Sequence, residues 1–128
     1  MKSWLRYGAF VVCLLLSACA GGPSESEATH AHGAKKPALD IKWEVRGSTL
    51  SVDVETDLHV SSEHYGQGRK DGEGHIHMYL DNDEKITVTE THKEFPNLPA
   101  GKHTLKVSLH NNDHTPYDVT KTISFEIR

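Results

Sequence analysis

Residues 38–128 predict an all-β domain, an immunoglobulin-like antiparallel β-sandwich of about seven strands. Three observations carry that expectation. Apolar residues recur with a period of two, no stretch shows a helical period, and clusters of Gly, Pro, Asn and Asp punctuate the chain at short intervals. Leu39, Ile41, Trp43 and Val45 alternate with polar residues. Gly47-Ser48 then turns the chain into Leu50, Val52, Val54, Thr56, Leu58 and Val60, so the two runs form a hairpin. A polar, glycine-rich loop spans Ser61 to Gly72. The third strand follows, with Ile76, Met78 and Leu80 inward, and ends at Asp81-Asn82-Asp83-Glu84. A fourth strand runs from Lys85 to His92, and Phe95 to Gly101 breaks the pattern. Leu105, Val107 and Leu109 mark the next strand, Asn111 to Pro116 a loop, and Val119, Ile123, Phe125 and Ile127 the last. Trp43 is expected in the core. A small Greek-key barrel would use the same strands.

The N-terminus sets the compartment. Lys2 and Arg6 precede a short apolar run from Gly8 to Leu16, too short for a spanning helix and typical of a signal peptide. Leu16-Ser17-Ala18-Cys19 resembles the bacterial lipoprotein signal, which implies cleavage after residue 18 and a diacylglycerol on Cys19. Residues 1–18 are therefore read as signal peptide, and 19–37 as the lipidated Cys19 and a disordered tether. The tether is small and polar, without the apolar content that would offset the entropy of ordering. It contains His30 and His32. The expected location is extracytoplasmic, on the cell membrane or the outer membrane.

Cysteine usage narrows the chemistry. Of the two cysteines, Cys13 falls in the signal peptide and Cys19 is capped by lipid. Thiolate metal sites, disulfides and cysteine nucleophiles are excluded from the mature domain. Loss of Lys2 and Arg6 makes the mature chain two units more negative than the −4 of the whole sequence. No basic patch suited to nucleic acid is evident.

Ten histidines in 128 residues stand out. In Gly74-His75-Ile76-His77-Met78, alternation sends His75 and His77 to one face, about 7 Å apart along the strand, and Met78 to the other. In a sandwich of this topology, His59, His64, His75, His77, His92, His110 and His114 all fall at one end, and only His103 at the other. His75, His77 and His110 share one outer face near the loop carrying His114. The candidate metal ligands are His75, His77, His110, His114, His64 and Met78, the thioether joining only if the strand is bulged. Asp113 or Glu73 could accept a distal imidazole N–H. Ligating histidines must be neutral, so binding is expected to fall as pH drops through about 6.5.

Gly72-Glu73-Gly74-His75-Ile76-His77-Met78-Tyr79-Leu80-Asp81, Leu98-Pro99-Ala100-Gly101-Lys102-His103-Thr104-Leu105 and Asn112-Asp113-His114 resemble small bacterial extracytoplasmic domains of the YtkA-like, immunoglobulin-like group. That resemblance, over roughly residues 38–128, implies copper handling or a contribution to respiratory oxidase assembly, with His75, His77 and His114 at matching positions. The expected function is a lipid-anchored module that captures or transfers a metal, copper first and zinc second, to a receiving protein. A non-catalytic interaction or adhesion module is the alternative, with Tyr65, Tyr79 and Tyr117 as candidate exposed aromatics. Catalysis is not expected, because no nucleophile elbow, phosphate loop or His-Glu-x-x-His helix is present.

Overall fold

A computed structural model describes residues 35–128; the signal peptide, Cys19, His30 and His32 lie outside the described residues. Eight strands form two sheets: β1 (Asp40–Arg46), β2 (Thr49–Glu55), β3 (His59–Val60), β4 (Glu73–Leu80), β5 (Ile86–Val88), β6 (His92–Phe95), β7 (Gly101–His110) and β8 (Pro116–Ile127). The first sheet has the order β1-β2-β6. The second has the order β3-β4-β7-β8, with β5 also paired to β4. This division, with the first, second and sixth strands facing a sheet centred on the fourth and seventh, is that of an immunoglobulin-like sandwich. All pairings are antiparallel except the two-residue β3–β4 ladder.

Alternation explains the core. Leu50, Val52 and Val54 of β2 face Ile76 and Met78 of β4, Leu105, Val107 and Leu109 of β7, and Ile123, Phe125 and Ile127 of β8. Gly47, at φ 59°, makes the β1–β2 turn where a side chain would be strained, and the ladder runs from Arg46↔Thr49 to Asp40↔Glu55.

Two expectations fail for physical reasons. The segment from Lys85 to His92 is not one strand: β5 pairs with β4 in one sheet, and β6 pairs with β2 in the other. The inward positions change parity between Val88 and Phe95, which an unbroken strand cannot do. The chain bends between them and crosses from sheet to sheet, so Phe95 belongs to a strand and not to a break. Trp43 is 44% exposed. It lies on edge strand β1 and only leans on Phe125, with ring centroids 6.1 Å apart.

Candidate metal centre

The β4–β7 ladder sets His75 directly opposite His110 and His77 opposite Ser108. Side chains of opposed residues share a face, so His75, His77 and His110 stand together on the side of the sheet away from the core. The connection from β7 to β8 adds His114. Its backbone is left-handed, at φ 69°, and the turn is held by Asn111 N–H donating to Thr115 O at 2.8 Å and His114 N–H donating to Asn111 O at 3.0 Å.

This outer face is not open. His75 is 0% exposed and His77 3%. The loop between β3 and β4 folds over them, and the Tyr65 ring meets His75 at 4.9 Å and His114 at 4.8 Å between centroids, both edge-on. Gly66 N–H donates to Asn112 O at 2.8 Å, tying this loop to the His114 turn. Gly74 has no room for a side chain: a Cβ there would sit 2.0 Å from the His110 carbonyl oxygen, so the backbones of β4 and β7 approach closely beside the imidazoles.

His75, His77 and His114 each offer one ring nitrogen, and the three nitrogens lie within 4.8 Å of one another. His75 Nε2 is 2.9 Å from His77 Nε2 and 3.3 Å from His114 Nδ1. A ring nitrogen carries one proton or one lone pair in its plane, so His75 Nε2 cannot satisfy both neighbours with good hydrogen bonds. His75 Nδ1 is buried with no partner. A tetrahedral ion about 2.0 Å from each nitrogen would hold them about 3.3 Å apart, close to the 2.9 and 3.3 Å separations at His75 Nε2, while the 4.8 Å span of the whole triad would have to close by roughly 1 Å or more around an ion. The donor set therefore fits a metal ion.

Burial pushes the pKa of His77 down to about 3, helped by the neighbouring His110 and His75 and by the Lys85 ammonium. Burial likewise pushes His75 down to about 4, with the positive forms of His114 and His110 and Lys85 adding to it. Both rings are neutral with lone pairs available at physiological pH. Proton competition moves from about 6.5 to about 4 at His75 and about 3 at His77.

The remaining candidates stand apart from the triad. His110 stacks on His77 at 3.7 Å, and both of its nitrogens are engaged: Nε2 with Ser108 Oγ at 2.9 Å, and Nδ1 with the His114 carbonyl oxygen at 3.1 Å. It buttresses one imidazole and pins the turn that carries another. His64 sits at the rim, with Nδ1 2.7 Å from Glu73 Oε2, while Lys70 Nζ holds Glu73 Oε1 at 2.7 Å. Met78 is fully buried among the core residues on the opposite side of β4, because no bulge interrupts the alternation there. Asp113 does not reach the imidazoles. Its carboxylate accepts from Thr115 N at 3.0 Å, from Thr115 Oγ1 and from Arg69 Nε at 3.1 Å, so it caps its own loop. His59 is exposed, and His92 Nδ1 lies 2.7 Å from Asp53 Oδ1 on the other sheet.

Tyr65 is exposed as the sequence predicts, at 41%, and its contact with His75 and His114 is the part the sequence did not show. The three candidate tyrosines share no patch: Tyr117 is buried with its hydroxyl donating to Glu73 O at 2.8 Å, and Tyr79 lies under Lys106 Nζ at 4.3 Å. His103, outside the triad, is 7% exposed, with Nδ1 2.6 Å from Asp81 Oδ2 and Nε2 2.7 Å from Pro99 O.

No protein-family model matches the chain, and no curated protein matches it. Among solved structures, the PKD1 domain of Vibrio anguillarum Epp is similar at a TM-score of 0.49 and 12% identity, over 73% of this chain and 95% of that one. The PKD1 domain from Vibrio cholerae metalloprotease PrtV is similar at 0.47 and 12%, over 71% and 95%. The immunoglobulin-like assignment stands on strand order and register.

Proposed function

We propose that this chain is a metal-binding module, held outside the cytoplasm by a lipid on Cys19, in which His75, His77 and His114 capture an ion for transfer. Copper is the favoured metal and zinc the second choice, as imidazole suits both. One observation carries the reading: three ring nitrogens converge within 4.8 Å, two of them on residues buried and kept neutral. Ordinary core histidines find a carboxylate or carbonyl partner, as His103 does. His75 instead faces two other imidazoles. A cation with lone-pair donors on three sides resolves that crowding. The lipidated, extracytoplasmic setting is supported by the Leu16-Ser17-Ala18-Cys19 segment, and a receiving protein such as a respiratory oxidase by the family resemblance.

Calorimetric titration of the mature chain with copper and zinc salts tests this. One ion per chain with sub-micromolar affinity is expected. Weakening by at least about tenfold is expected in His114→Ala, whose side chain is exposed enough that the fold should survive. Affinity weaker than micromolar, or unchanged in His114→Ala, would sink the proposal.

A second reading has its own observation. Trp43 is a large exposed aromatic on an edge strand of the other sheet, whereas Tyr65, of similar exposure, packs against His75 and His114. Trp43→Ala would then abolish partner capture without altering metal affinity.

A further inference from the structure

The charge and the number of donors around the triad restrict which ion it holds, an inference that rests on the metal-binding proposal above. The group consists of three imidazoles, with no carboxylate and no thiolate among its members. The acidic side chains closest in sequence are committed elsewhere: Glu73 to Lys70 and His64, and Asp113 to Arg69 and Thr115. Lys85, in the turn before β5, adds a positive charge felt by His75, His77 and His110. An ion here would meet two walls that are fully or nearly fully buried, and receive no compensating negative charge. The cost of placing an ion in such surroundings grows with the square of its charge, so a divalent ion pays about four times what a monovalent one does.

Coordination number points the same way. Both nitrogens of His110 are engaged, Met78 is on the core side, and the Tyr65 ring lies edge-on over His75 and His114. Three donors are on offer. Zinc(II) would have to take a water as its fourth ligand under the Tyr65 ring and copper(II) a tetragonal set, whereas a filled-shell monovalent ion is content with three. The buried His75 Nδ1 has no acceptor for its proton. A divalent ion, which polarises the ring more strongly, would need that acceptor most.

We infer that the centre selects a monovalent d10 cation, copper(I) or its redox-inert analogue silver(I), over divalent ions. The selectivity comes from a carboxylate-free, three-donor site beside a lysine, and not from sulfur ligation.

The mature chain is titrated without oxygen with silver(I), with copper(I) under a reductant and a competing chelator, and separately with zinc(II) and copper(II). Each titration is followed by histidine side-chain 1H–15N correlation spectra. Silver(I) and copper(I) are expected to shift the His75, His77 and His114 ring signals at one ion per chain, with affinity at least roughly a hundredfold above that for zinc(II). Lys85 is exposed, so Lys85→Glu should fold normally and tighten zinc(II) binding by about tenfold, narrowing the gap. Zinc(II) binding as tightly as the monovalent ions with the same ring shifts, or copper(II) binding as tightly with loss of those ring signals to paramagnetic broadening, would overturn the selectivity and leave the metal site standing. No ring shift with any of the four ions would overturn both.

Discussion

Acid should destabilise the metal-free domain through His75 and His77 more than through any other pair of side chains. At pH 4.5 an unfolded imidazole, titrating at about 6.5, is almost fully protonated. In the folded domain His75, held at about 4, is protonated only in a minority of molecules, and His77, held at about 3, scarcely at all. The unfolded chain therefore binds more protons throughout this window, and stability falls as pH drops below about 6.5, levelling off only beneath the folded values. Between pH 7 and 4.5 the loss is about 2–3 kcal/mol for each ring and about 5 kcal/mol for the two. Domains of this kind are stable by about 5–15 kcal/mol, so the effect is a large share of the total. Urea unfolding in chelator at the two pH values measures it. Carboxylates also lose stability on acidification, so the decisive comparison is with His75→Gln/His77→Gln, which keeps polar side chains of similar reach but cannot titrate. The double variant should lose about 5 kcal/mol less than the wild type between the two pH values. A difference under about 1 kcal/mol would refute the assignment of these rings as buried and neutral.

Other outcomes follow from the same geometry. Gly74→Ala forces a Cβ against the His110 carbonyl, so it should cost about 2–4 kcal/mol and shift the His75 and His114 resonances together, read by chemical denaturation and NMR. Asp113→Ala should leave metal affinity within about twofold while destabilising the turn by about 1 kcal/mol, since its partners are Thr115 and Arg69; a large affinity loss in calorimetry would contradict this. His103 behaves oppositely to the triad: its two nitrogens both face acceptors and its pKa is raised, chiefly by the Asp81 carboxylate. Its stabilising contribution is fully present below about 6.5 and is lost as pH rises through the folded value, so the deficit of His103→Ala in urea unfolding should shrink between pH 6 and 9. Saturating metal at 100 times its Kd should add about 2.7 kcal/mol of stability, seen as a rise in Tm that His114→Ala largely removes.

The sheet was legible wherever one face meets the core. The β1–β2 register follows from Gly47-Ser48 and the alternation on either side of it, and the outer face of His75 and His77 from the inward Ile76 and Met78. The same reasoning failed at Trp43, because alternation states which face a residue takes and not whether an edge strand covers it. It failed between Val88 and Phe95 because a parity change is easily overlooked when turn residues are weak. At the site, strand neighbours bring His75 and His110 together as the period implies, and a short turn returns His114 to them. The burial of the pair was not readable, since it depends on the path of the Ser61–Gly72 loop, and a polar loop has no period to fix where Tyr65 lands. The burial of His103 was not readable for a related reason: its acceptors, Asp81 and the Pro99 carbonyl, are supplied by turns from different strand connections.

The 39 residues that separate His75 from His114 tie the arrival of an ion to the folding clock. Such a contact closes only after β4 and β7 have aligned over a long intervening chain, a slow step compared with forming the local β1–β2 hairpin. On the proposed reading, a newly made chain has no preformed nest for a metal, and uptake would report that its second sheet had zipped shut.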